Sequence, residues 1–194
     1  MIAGKKETMG VPVARHRFTV KDFYRMAEVG ILSQHDHVEL LDGEIVDMTP
    51  IGSRHAACVN RLNSLLADLL GQRAIVSVQN PIDLGPDSEP QPDLAVLRPR
   101  ADFYGEAHPG PEDILMVIEV ADTSADFDRT VKLPLYARAG IREAWVVDLG
   151  SESVEVHQGP AERGYQSVEA LRRGQRLVPQ AFPDLALAVA DVLV

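Results

Sequence analysis

The chain has a single cysteine, Cys58, in 194 residues. An intramolecular disulfide is therefore impossible, and a thiolate zinc site has too few ligands to form. No apolar run approaches the roughly 18 residues that a membrane-spanning helix needs. The opening MIAGKKETMG also lacks the apolar stretch of a secretory signal. A protein of the reducing cytoplasm with no membrane partner is the expectation. Basic residues are in deficit, with 19 Lys and Arg against 29 Asp and Glu and a net charge of −10. Such a molecule repels a polyanion unless basic side chains cluster locally. The 45% hydrophobic and 25% charged composition excludes pervasive disorder. The length suits one domain with a full core.

Residues 1–17 carry Lys5, Lys6, Arg15, His16 and Arg17 among few apolar residues and read as a flexible arm, leaving 18–194 as the domain. Thr19 and Asp22 form a capping box ahead of a short helix, with Phe23, Met26 and Ala27 on one face and an end near Gly30. In VELLDGEIVDM, Asp42-Gly43 supplies the two positive-φ positions of a type I′ turn, which predicts a hairpin over 38–48. From Ser53, a good N-cap, Cys58, Leu62, Leu65, Leu66 and Leu69 recur at helical spacing as far as Gly71, so a helix is expected over 54–70. Strands are expected over 74–84, 93–97 and 114–120, the last buried on both faces. A helix over 128–139 and the apolar EAWVVD complete a βαβ unit with parallel strands. Pro134 requires either Thr130 as N-cap or, for an earlier start, a kink. VEVHQ, YQSVEAL and LALAVADVLV read as small antiparallel strands.

Acids inside apolar strands are the anomaly, because burying an ionised carboxylate costs several kcal/mol unless it is paired or holds a metal. Glu119 interrupts ILMVIEVA, and Asp93 opens DLAVL directly after Pro92. On adjacent strands their oxygens could meet at one end of the sheet, a hard-oxygen site of the kind Mg²⁺ or Mn²⁺ prefers. Lys132 adds an ammonium on the following helix, with Asp128 and Tyr136 on the same face. The plainer reading is an Asp128–Lys132 surface pair. His55 falls in the apolar stripe of its helix and points inward, as a buried neutral imidazole or as a ligand or base. Glu39, on the hairpin, is expected to face water by default.

The order helix, three strands, helix, strand, with Pro92-Asp93 and Glu119-Val120-Ala121 on successive strands, resembles the PD-(D/E)XK nuclease superfamily. More narrowly it is similar to the Uma-type restriction endonuclease family. The matching text is VELLDGEIVDMTP, the helix-opening His55, QPDLAVL, ILMVIEVADTS and KLPLYARAGIREAWVVDL, with weaker GYQSV and LALAV, over roughly residues 18–194. The resemblance implies an α/β (α+β) restriction-endonuclease-like core, a mixed central sheet flanked by helices with an added N-terminal hairpin and C-terminal strands. It further implies Mg²⁺ or Mn²⁺ held by Asp93 and Glu119, with the Val120 carbonyl, and phosphodiester hydrolysis by activated water. Lys132 would stand in for the motif lysine, since the position two after Glu119 is Ala121, a relocation the Uma-type family shares. His55 would complete the metal shell or assist the water. Ala121 and Asp122 depart from the residues usual after the glutamate.

The expected activity is thus a metal-dependent endonuclease, with DNA as its substrate and a homodimer if both strands are cut. Arg54, Arg61, Arg98, Arg100, Arg138 and Arg142 are the candidates for the basic rim it needs. The alternative from another class is a non-catalytic protein-interaction module in which Asp93, Glu119 and Lys132 form only a buried ion network. Hydrolysis of RNA or another phosphoester differs from the first only in the substrate groove.

Overall fold

Local sequence rules set most of the element boundaries. A computed structural model describes residues 15–33, 35–122 and 124–193. Residues 1–14, most of the expected arm, lie outside the described residues. Helix α1 (Val20–Glu28) opens on the capping box: Thr19 Oγ1 accepts the Asp22 N–H at 3.2 Å, and the Asp22 carboxylate accepts the Thr19 N–H at 2.9 Å. Strands β1 (Val38–Leu41) and β2 (Glu44–Asp47) pair antiparallel around Asp42 (φ 48°) and Gly43 (φ 75°), as a type I′ turn demands. A Cβ on Gly43 would also stand 2.6 Å from the Arg17 Cβ.

Helix α2 (Ser53–Leu70) starts one residue earlier than expected, because Gly52 and not Ser53 occupies the N-cap. Strand β3 (Ile75–Val78) is far shorter than the predicted 74–84. Gln79 turns the chain at φ 51°, and Pro81 has no N–H to give a ladder. The chain instead folds back on itself, with Ile82 N–H donating to Pro90 O and Leu84 N–H to Ser88 O. Strands β4 (Leu94–Leu97) and β5 (Ile114–Ala121) follow.

The crossover is α3 (Ala125–Phe127), a π-helical turn (Asp128–Lys132) and α4 (Leu133–Arg138). This corrects both the predicted 128–139 start and Thr130 as N-cap. Leu133 N–H reaches back to Asp128 O, and this wide turn just before Pro134 takes the place of a kink. Strand β6 (Glu143–Asp148) lies parallel to β5, followed by the antiparallel pair β7 (Ser153–Ala161) and β8 (Gly164–Arg172). LALAVADVLV is not one strand. Only Leu187–Ala188 (β10) pairs, with β9 (Arg176–Leu177), before α5 (Val189–Val192) begins. There Val189 and Val192, three residues apart, are both buried, which a helix against α2 allows and alternation does not.

The sheet has the order β3-β4-β5-β6-β7-β8 and is mixed, with β5 and β6 its parallel pair. On one face Cys58, Leu62, Leu66 and Leu70 of α2 join Met116, Ile118, Val120, Trp145 and Val147. On the other, Leu133 and Tyr136 of α4 join Val117, Ala121, Ala144 and Val146. Alternation in β5 therefore assigns Glu119 to the α4 face. Among the described residues no helix is long and apolar enough to cross a membrane.

Arg129, in the π turn, ties the crossover to the sheet. It donates to Asp148 at 2.7 Å and to both oxygens of Glu155 at 2.8 and 3.1 Å. Burial raises the pKa of both acids, but the Ser151 and Arg129 hydrogen bonds on Asp148, and those of Arg129 and His157 on Glu155, outweigh it and leave both lowered. Arg129→Ala is expected to cost about 1.5–3 kcal/mol near neutral pH, the range for charged hydrogen bonds. Groups with depressed values stabilise the fold above their unfolded pKa. The cost should therefore shrink as pH falls below the ordinary 3.8 and 4.5, a trend that urea denaturation at several pH values reads directly.

Candidate active site

The register of β4 against β5 builds the site. Leu94 stands opposite Ile118 at the end of the paired register, and Asp93, the residue before β4, comes beside Glu119. Backbone contacts fix the pair: Val120 N–H donates to Asp93 Oδ2 at 2.8 Å, and Asp93 N–H lies 3.4 Å from Glu119 Oε2. Like charges placed directly opposite on neighbouring strands destabilise a sheet unless something positive joins them.

Two helices supply partners. From the first turn of α2, His55 Nε2 lies 2.9 Å from Asp93 Oδ2. That hydrogen bond raises the imidazole pKa against the effect of burial. Its Nδ1 is buried with no partner among the described residues, whichever nitrogen carries the proton. From the π turn, Lys132 Nζ sits 3.3 Å from Glu119 Oε1 and 3.3 Å from Glu39 Oε2. The Tyr136 hydroxyl donates to Glu119 Oε1, and Gln79 Nε2 donates to Asp93 Oδ1 at 3.2 Å.

Burial pushes the Glu119 carboxyl well above its ordinary value, and the pull of Lys132 does not offset this. Burial would lower the Lys132 ammonium, but Glu119, Glu39, Asp128 and Asp93 together outweigh it and keep it charged. The cluster is thus short of positive charge, and one ammonium does not neutralise it. Apart from Tyr136, which lies behind Glu119 in the core, these side chains line one cavity of about 520 Å³ at the end of the sheet.

The chain matches the family model described as "Uma2: Putative restriction endonuclease" over residues 20–190. The chain belongs to the Uma2 family. Among solved structures, a nuclease of Anabaena variabilis ATCC 29413, described as putative and as belonging to DUF820, superposes with a TM-score of 0.69 at 16% identity. The match covers 90% of this chain and 97% of that one. At that identity it shows a shared fold, the restriction-endonuclease-like mixed sheet between helices. No curated protein matches.

In this Uma2 chain three expectations fail. Glu39 does not face water: it is 3% exposed, paired with Lys132, and accepts the Gln91 N–H at 3.1 Å. Alternation could not tell which face of a detached hairpin turns inward. Asp128 and Lys132 are not a surface pair, since both are buried and Asp128 accepts from Ser124 Oγ at 2.9 Å instead. The expected basic rim is absent from the cavity lining. Arg54 bonds Leu149 O and Asp122, Arg61 bonds Leu193 O, and Arg98 bonds Glu112 O. Arg100 forks onto Asp102 and Arg138 onto Asp42. None of these, nor Arg142, lines the cavity.

Among the described residues no group of three or more His, Cys, Asp or Glu side chains is arranged to hold a metal ion. An all-protein cage is therefore not what the site offers. Mg²⁺ characteristically uses one or two carboxylates and keeps several waters. Asp93 and Glu119 are the two carboxylates that could hold such an ion.

Proposed function

We propose that the chain is a metal-dependent endonuclease that hydrolyses phosphodiester bonds, with DNA as its substrate, and that Asp93, Glu119, Lys132 and His55 do the work. The observation that carries this reading is the opposition of Asp93 and Glu119 with a buried ammonium 3.3 Å from Glu119. Mg²⁺ or Mn²⁺ on Asp93, Glu119 and the Val120 carbonyl would lower the pKa of a bound water and neutralise developing negative charge. The chain's own groups prepare the rest. His55 and the Val120 N–H orient Asp93, and the Tyr136 hydroxyl fixes the Glu119 carboxylate. Lys132 holds a fixed positive charge at a buried position, where it acts on a phosphate without reorganisation.

A second reading has its own support. Lys132 already bridges Glu119 and Glu39, as a purely structural ion network would have it. Titrating Mg²⁺ or Mn²⁺ while following the melting temperature separates the two. A ligand that binds only the folded state stabilises it by about 2.7 kcal/mol at a hundred times its Kd. The nuclease reading expects such a rise, its loss in Asp93→Asn, and metal-dependent cleavage of single- or double-stranded DNA. A flat titration together with intact substrate supports the interaction module.

A further inference from the structure

Resting on the nuclease reading, we infer that the site takes a single strand of nucleic acid rather than an intact duplex. Three observations carry this. First, the reacting groups are recessed: the side chains of Asp93, Glu119 and Lys132 are 14%, 3% and 8% exposed. A duplex is stiff over about 150 base pairs and carries its phosphates on its outer surface. A scissile phosphate reaches the floor of this cavity only on a strand free to bend away from its complement.

Second, the lining is acidic. Glu39, Asp47, Asp93, Glu119, Asp122 and Asp128 face the cavity, with Lys132 and His55 as its basic groups. Duplex binding draws its affinity from several Lys and Arg contacts to phosphates, whereas none of the described arginines lines the cavity, and Arg54 beside it is bonded to the lining Asp122. Third, apolar side chains stand among the lining. Met48, Pro50, Ile51 and Phe127 belong to it, and Ile51 is 52% exposed. Unpaired bases offer flat faces that stack on an aromatic ring such as Phe127 and pack on apolar groups. The occupant is a short stretch of strand, with its bases on these side chains and one phosphate at the carboxylates.

The test compares a labelled oligothymidylate, the same strand annealed to oligoadenylate, and an oligouridylate. Binding is read by anisotropy in Ca²⁺ over a salt series, and cleavage in Mn²⁺ and Mg²⁺. The strand should bind and be cut at least about tenfold better than the duplex, because opening a base pair costs a few kcal/mol. The salt slope should be no steeper than about −2, since each single-strand phosphate contributes about −0.7. Ile51→Asp, an exposed position that keeps the fold, should weaken strand binding about tenfold, the scale of one lost base contact. Comparing thymidylate with uridylate tells which sugar the site prefers, and a preference for either strand over duplex supports the inference. Equal or better handling of duplex, a steep salt slope, or an inert Ile51→Asp overturns it while leaving the nuclease reading intact. Strand binding without cleavage in either metal overturns the nuclease reading alone, and neither binding nor cleavage overturns both.

Discussion

Asp93→Ala and Glu119→Ala should each lower metal-dependent cleavage about a thousandfold or more. A bound divalent ion stabilises transition-state charge by several kcal/mol, and each 1.36 kcal/mol is about tenfold in rate. The informative part is the accompanying stability. Asp93 faces Glu119 across two strands, and burial already strains the Glu119 carboxyl toward its neutral form. Removing one of two like charges relieves that strain, so metal-free Asp93→Asn should melt at or above the wild-type temperature while losing activity and the metal-induced rise. A site that loses function and gains stability when neutralised is arranged for a ligand. Were Asp93 merely structural, the same change would strand His55 and lower the melting temperature.

Lys132→Met should have the largest effect on stability. It leaves Glu119 and Glu39, each 3% exposed at the side chain, buried beside one another without their shared cation. Removing one partner of a buried pair typically costs about 3–5 kcal/mol. Adding Glu39→Gln should recover a substantial part of that loss, because one of the two uncompensated charges is then gone. Denaturant titration of the single and double variants measures this. A loss in the double variant equal to the sum of the losses in Lys132→Met and Glu39→Gln alone would show that Glu39 and Lys132 do not act on each other. Divalent metal should stabilise Lys132→Met more than wild type, since it restores positive charge to the same carboxylates.

Several parts of this architecture are legible from residue order alone. Asp42-Gly43 announces its turn because few residues tolerate two successive positive φ angles. The stripe from Cys58 to Leu69 marks α2, and the two apolar runs on either side of the crossover mark the parallel pair. Asp93 and Glu119 stand out because acids in apolar strands need a reason. Other features are not legible because they depend on three-dimensional partners. Gln79 looks like an ordinary strand residue until its positive φ is seen. The π turn follows from Pro134 only when the helix is known to start at Ala125. Glu39 and the engaged arginines are set by contacts between segments far apart in the chain, such as Arg138 with Asp42, which no periodicity encodes.

Anomalous scattering from a crystal of the protein soaked in Mn²⁺ decides whether the paired carboxylates hold a metal. A single strong peak is expected within coordinating distance of both Asp93 and Glu119, on the side away from the Lys132 ammonium. A saturating soak with no peak there, or with Mn²⁺ bound only to surface acids such as Asp126, would contradict it.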